Sequence, residues 1–281
     1  MKRIGTALAL IMVLLLPLLA KAGDANPWER KLPFESATIQ YILKGSEKGT
    51  ETLYIRKHGK EMATYHASKT VMGIRRNTVT IMTLDWLYNF DLEKKTGTKS
   101  VNPQKYMIEE YNKLSKAEQK QVMKNARNMG MSMTKGMNGK IEMNATKILG
   151  IDCDKATVMG STVYSIHKTG IPLKSDTSIM GFSMKKEAVA IKKDPVDSKV
   201  FDFPAGIVPQ EDPQADAMAR SVAKQTIAML KNPKGVSNGQ PANPMMAPGA
   251  PANGEQGSPP PGISNEKLEQ AMKILKQMQN K

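Results

Sequence analysis

Met123, Met129, Met131, Met133, Met137 and Met143 crowd one stretch of a chain that holds 21 methionines in all. Thioethers are soft donors, and the alternating Met129, Met131 and Met133 are the residues that would hold Cu(I) in an exported protein. Methionine is also what fills a deformable apolar surface, because it is unbranched and polarisable. No His or Cys lies within the run, so packing is the preferred reading. The single cysteine, Cys153, stands between Asp152 and Asp154. Two carboxylates disfavour the thiolate, so Cys153 reads as a small buried side chain and not as a nucleophile. His58, His66 and His167 are dispersed, with no metal-binding spacing between any two. Asp152 and Asp154 fall on one strand face beside a turn, which is no argument for an acid and a base. A Gly-rich phosphate loop, a Gly-x-Ser-x-Gly elbow and a His-Glu-x-x-His helix are all missing. The expectation is a protein that is not an enzyme and needs no cofactor and no metal, with methionine-held copper as a lesser alternative.

Composition narrows the partners. The 281 residues include 41 Lys and Arg against 26 Asp and Glu, a formal charge of +15, and only 5% are aromatic. A core must therefore be built from aliphatic residues and methionine. One cysteine excludes a disulfide framework and a multi-thiolate iron–sulfur site. The basic pairs Arg75-Arg76, Lys94-Lys95, Lys185-Lys186 and Lys192-Lys193 are spread among strand ends and turns. Lysines on sheet edges discourage association between sheets. Their functional reading is attraction to an anionic membrane surface or another acidic surface. Nucleic acid is not expected, because no binding module accompanies the charge.

The first 22 residues read as an address. Lys2 and Arg3 precede an apolar run from Ala7 to Leu19, and Ala20-Lys21-Ala22 supplies small residues for cleavage after Ala22. The run is shorter than the ~20 residues that cross a bilayer, and Pro17 interrupts it. The expectation is a periplasmic protein with no transmembrane segment after cleavage. No cysteine lies near the cut, so no lipid anchor is expected either. Removal leaves 38 basic and 26 acidic residues, a charge of +12.

The elements that must position these residues follow from periodicity. Short alternating runs between Ala37 and Leu92, separated by turn residues at Gly45 to Gly49, Gly59, Gly73 and Asn77, predict an antiparallel meander of about five strands ending before Gly97. Asn102-Pro103 predicts a capped helix carrying Tyr106, Met107, Tyr111 and Leu114 on one face. Ser115 and Glu118 have capping-box spacing, so a second helix is expected from Lys116 to about Asn128. The helical insertion is thus 103–128. A second β section is expected from Ile141 to Phe203, and Asp212-Pro213 opens a closing helix over 213–231. Residues 232–263 hold eight Pro and six Gly, a flexible linker by composition. Ser264 caps a last amphipathic helix, 264–281, with Leu268, Met272, Leu275 and Met278 on one face.

Three stretches carry a resemblance, Asp91 to Lys99, Ile148 to Asp154 and Gly170 to Ser175. They resemble an uncharacterised family of exported bacterial domains that is similar to the periplasmic lipoprotein-carrier superfamily, the LolA and LolB type. The resemblance covers about residues 35 to 207. It implies an α+β, mainly antiparallel fold, an incomplete curved β-barrel of about 9–11 strands. Helices would lie against the concave face around a cavity for acyl chains. One domain, 23–231, is then expected before the tail.

A curved sheet with Ile39, Tyr41, Leu43, Trp86, Tyr88 and Phe90 on its inner face needs helices or a ligand to cover it. Leu53 and Ile55 on the strands, with Met107 and Tyr111 on the first helix, complete the expected ligand-facing set. The leading expectation is a carrier of a lipid, a lipoprotein acyl chain or another hydrophobic ligand. The alternative is a structural or interaction protein of the cell envelope that works through its tail.

Overall fold

The computed structural model describes residues 26–232, apart from Arg30, Met137, Met159, Met180 and Gly181. The expected signal peptide, nearly all of the linker and the terminal helix lie outside the described residues. Alternation between turn signals yields the first meander of β1 (Ala37–Gly45), β2 (Glu47–Arg56), β3 (Glu61–Thr70), β4 (Arg75–Met82), β5 (Trp86–Asp91) and β6 (Thr96–Val101). Helices α1 (Pro103–Asn112) and α2 (Lys116–Gly136) follow. The second meander is β7 (Lys140–Ile148), β8 (Ile151–Val158), β9 (Ser161–Ile166), β10 (Pro172–Ile179) and β11 (Phe182–Lys192). A wrap then leads through β12 (Gln210–Glu211) into α3 (Pro213–Lys231).

All twelve strands belong to one open sheet in the order β12, β6, β5, β4, β3, β2, β1, β11, β10, β9, β8, β7. Every pairing is antiparallel except β12 with β6. The two meanders meet where β1 pairs with β11, across a register shift between Gln40 and Tyr41. The first meander carries one strand more than expected, yet the two meanders together stay within the expected 9–11; the two-residue β12 makes the twelfth. Gly97, expected to follow the end of the first meander, lies inside β6 opposite Phe90. A Cβ at Gly97 would come within 2.8 Å of the Phe90 ring, so this glycine makes room for an aromatic side chain instead of breaking a strand.

Helix starts follow their local chemistry. Asn102 Oδ1 accepts from Gln104 N at 3.0 Å ahead of Pro103, and Asp212 Oδ1 accepts from Ala215 N at 3.0 Å ahead of Pro213. Ser115 and Glu118 exchange the reciprocal bonds of a capping box, 2.8 Å from Ser115 N to Glu118 Oε2 and 3.3 Å from Glu118 N to Ser115 Oγ. Helix α2 passes its expected end at Asn128 and runs to Gly136.

The three helices make a core of their own. Tyr106, Met107, Tyr111, Val122, Ile227 and Leu230 pack there with Trp28. Helix α3 leans on β6, where Asp216 Oδ1 accepts from Val101 N at 2.5 Å. Helix α2 packs against α3 and ends four residues before β7, on the opposite side of the sheet. Ten inter-strand steps of ~4.8 Å would separate β6 from β7 in a flat sheet, ~48 Å, whereas 21 helical residues span ~31 Å. Helix α2, seated on β6 through α3, thus reaches the other side of the open sheet.

The sheet buries different faces in its two halves. Ile39, Tyr41, Leu53 and Ile55 point to one face, where Cys153, Ile166 and Leu173 join them with Leu32. Cross-strand register carries Leu53 to Thr64, Thr80, Asn89 and Thr98, so that face turns polar across β3 to β6. There Ala63, Val79, Ile81 and Phe90 pack on the other face, under Ile207 and Phe201 of the wrap before β12.

Candidate functional site

The expected ligand-facing set does not share one surface. Ile39, Tyr41, Leu43, Leu53 and Ile55 belong to one face of the sheet, and Trp86, Tyr88 and Phe90 to the other, as the registers from β1 through β5 require. Met107 and Tyr111 lie in the helical core. Alternation within a strand shows which side chains share a face, but parity across the turns decides which face that is. The covering elements are also in place: Phe203 lies 4.7 Å from Tyr88 and 5.3 Å from Phe90 between ring centroids, and Lys99 Nζ lies 3.8 Å from the Trp86 ring centre. A shallow cleft, open to solvent, is bordered by Glu29, Lys60, Leu84, Asn102, Lys105 and Ile108, and none of the expected ligand-facing residues lines it.

Met129, Met131 and Met133 lie in α2, where Met129 is half-buried against the helical core. Cys153 is fully buried in β8, and its thiol donates to Ile151 O at 3.3 Å. Burial pushes that thiol up, with Asp154 and Asp152 adding to the rise. His58 Nδ1 is 3.0 Å from Leu32 O. His167 Nδ1 is 2.6 Å from Asp154 Oδ1, which also accepts from Asn144 N at 2.8 Å. Burial opposes ionisation of Asp154, but His167 and the two backbone N–H groups of Asn144 and Lys168 hold its carboxyl below the usual range.

At one end of the sheet the chemistry is different. The β3–β4 hairpin ends in Val71-Met72-Gly73-Ile74, and Val71, Met72 and Ile74 are 69%, 76% and 55% exposed. Polar residues are the ordinary choice at such a turn. The tip is firmly closed: Thr70 N donates to Ile74 O at 2.9 Å, Ile74 N donates to Thr70 Oγ1 at 3.2 Å, and Gly73 takes the left-handed conformation at φ +81°. The β1–β2 turn and the start of β11 are laced to it. Val71 N donates to Ser46 O at 2.9 Å, and Ser46 N donates to Ser183 O at 2.7 Å. Gly45 makes that approach, since a Cβ there would stand 2.2 Å from Ser183 O.

Just inside the tips runs a row of cations. Lys185 pairs with Lys44, Lys48 with Lys69 and Lys69 with Arg75. Extending the β1–β2 register by one step beyond Leu43 and Gly49 brings Lys44 beside Lys48. Five exposed cations thus cross β11, β1, β2, β3 and β4 on one face, over ~19 Å at ~4.8 Å per strand. Asp176 reaches the row at Lys185, 3.0 Å away. Like charges directly opposite one another weaken a sheet, so the row stores unfavourable energy that an anion would relieve.

On the other face of the same strands lies a buried ionic network. His66 stands 3.1 Å from Glu51 and 3.2 Å from Glu47, and Ser68 Oγ is 2.9 Å from His66 Nε2. Serine, histidine and glutamate within reach of one another suggest nucleophile activation, but the electrostatics oppose it. The hydrogen bond to Glu51 comes first in raising the imidazole above its usual value, with Glu47 adding to it against the cost of burial. A charged imidazole has no lone pair to take the serine proton, and Ser68 donates to Glu47 instead. Burial opposes both carboxylates, yet Ser68, His66 and Arg76 hold Glu47 low, and His66 and Lys186 hold Glu51 low.

No protein-family model and no curated protein matches the chain. Among solved structures, an uncharacterised conserved protein from Thermus thermophilus is similar at 9% identity and a TM-score of 0.38, over 63% of this chain and 91% of that one. A structure of PNGF-II is similar at 12% identity and a TM-score of 0.31; the match takes in 70% of this chain and about a third (33%) of that one. At those scores neither likeness specifies a shared fold or activity. The class in hand is an open, mostly antiparallel sheet with three helices. No helix among the described residues is long and apolar enough to cross a membrane.

Proposed function

We propose that the protein is an exported, non-enzymatic binding protein that docks on anionic membranes through the β3–β4 tip and the β1–β2 turn laced to it. The observation that carries this reading is the exposed Val71, Met72 and Ile74 set beside five aligned cations. Apolar side chains enter the acyl boundary and lysine or arginine heads stay with the phosphates. Each cation near an anionic surface contributes on the order of 1 kcal/mol, and the attraction falls off within a Debye length. Sedimentation with phosphatidylglycerol vesicles tests it: binding that weakens with added salt is expected, and equal binding to uncharged phosphatidylcholine vesicles contradicts the electrostatic half.

A second reading keeps the carrier role. Met107, Met123 and Met129 pack in the helical core, and methionine repacks at low cost around a foreign chain. An acyl chain would then enter between the helices, not along the Ile39 and Phe90 faces. Native mass spectrometry before and after organic extraction tests this; an extractable amphiphile supports it and an unchanged mass removes it.

A further inference from the structure

Beneath the cationic row, on the opposite face of β2 and β3, His66 is clamped between two glutamates. Its Nδ1 is 3.1 Å from Glu51 Oε2 and its Nε2 is 3.2 Å from Glu47 Oε1, with the side chains of His66, Glu51 and Glu47 only 20%, 14% and 9% exposed. The other groups facing this site come from each neighbouring strand. Ser68 of β3 donates to Glu47. Arg76 of β4 has Nη1 3.9 Å from Glu47. Lys186 of β11 donates to Glu51 and lies 4.1 Å from the ring centre of Tyr41 of β1. The Tyr41 hydroxyl is engaged elsewhere, donating to Pro172 O at 2.8 Å.

The placement matters because Glu47 follows Ser46 directly. Ser46 O and N are the groups that hold the β3–β4 tip and the start of β11 together, and Glu47 itself pairs with Thr70 at the root of the tip. The clamp therefore grips the strand end to which the β3–β4 tip and the start of β11 are laced. We propose that the Glu51–His66–Glu47 clamp makes docking on anionic bilayers pH-dependent, strong while His66 is charged and weak once it is neutral. This rests on the docking reading above.

Two effects act in the same direction. With His66 charged, three cations (His66, Lys186 and Arg76) face two carboxylates, a local charge of +1; with His66 neutral that surplus is gone. The two buried carboxylates also lose the cation between them and repel, which loosens the Ser46 end of β2.

The test uses the full chain with phosphatidylglycerol and phosphatidylcholine vesicles, whose charge is constant between about pH 6 and pH 9. Loss of one cation predicts affinity lower at the alkaline end by at most about fivefold, because His66 lies three residues, ~10 Å, inside Lys69 and so near the limit of the Debye length. Linkage then requires that vesicles raise the midpoint of the His66 imidazole titration, followed by NMR, by up to about 0.7 pH. His58 lies at the far end of β2 and β3 and is the internal reference: ten residues at ~3.3 Å each place it roughly 30 Å away, beyond the Debye length. His66→Gln is expected to bind with a flat pH profile. Binding by the wild type with an unmoved His66 midpoint overturns the clamp proposal and leaves docking standing; so does an unchanged pH profile in His66→Gln. No binding at either pH overturns the docking reading itself, and the clamp proposal with it.

Discussion

Lys48 and Lys69 face one another across β2 and β3, and Arg75 of β4 faces Lys69 from the other side. Alternating signs would stabilise these strands, and the chain places three like charges there instead. Lys69→Glu should therefore raise thermal stability by roughly 0.2–1 kcal/mol for each neighbouring pair made attractive. The same change should weaken binding to anionic vesicles. Melting curves beside vesicle sedimentation check both halves, and a variant that loses stability as well as binding would mean the row is only a folding feature.

His66 ties stability to pH. Its folded-state value is raised above the ordinary value near 6.5, so its contribution is complete below that value and is lost as pH rises through the raised one. Glu47 and Glu51 are lowered, so theirs is complete above about 4.5 and lost as pH falls further. The melting temperature should be highest between those limits. In His66→Gln the alkaline decline should shrink, which melting curves at stepped pH would reveal.

Gly97 is required by Phe90. Gly97→Ala would push a methyl group to 2.8 Å from the Phe90 ring and 3.2 Å from Ile207 Cγ2, a packing fault expected to cost about 1–3 kcal/mol. Chemical denaturation would measure it. A neutral result would show that the wrap carrying Ile207 yields easily.

Asn125 fastens α2 to α3. Its Nδ2 donates to Leu230 O at 2.7 Å in a buried setting. Asn125→Ala removes that buried bond and should destabilise by about 1–3 kcal/mol, with faster amide exchange at the end of α3 as the local sign.

Much of the framework was legible because it rests on short-range chemistry. Asn102, the Ser115 and Glu118 pair, and Asp212-Pro213 each act within one turn of helix, and all three helix starts fall where those residues place them. Alternation placed the strands of both meanders except β6. It did not give the face of each strand, because Ile39 and Phe90 are related through five strands and four turns, and one residue of slip reverses the answer. Gly97 was misread because a glycine that admits a neighbouring ring looks, in sequence, like one that ends a strand. The hairpin tip does carry a signal in the sequence: Val71, Met72 and Ile74 sit at a turn between Lys69 and Arg75-Arg76, where polar residues are the norm. The His66 clamp had none, since Glu47, Glu51 and His66 meet only through the β2–β3 register.

Docking by the hairpin tip can be observed directly by placing an environment-sensitive fluorophore at position 72 through Met72→Cys. Cys153 is buried and its thiol is pushed up, so it competes poorly for the label. On adding phosphatidylglycerol vesicles the account predicts a blue-shifted emission that lipid-chain quenchers reduce, and loss of that shift when Val71 and Ile74 are also changed to Ser. Vesicle binding with no change in emission at position 72 would contradict it, because the protein would then be meeting the membrane with another surface.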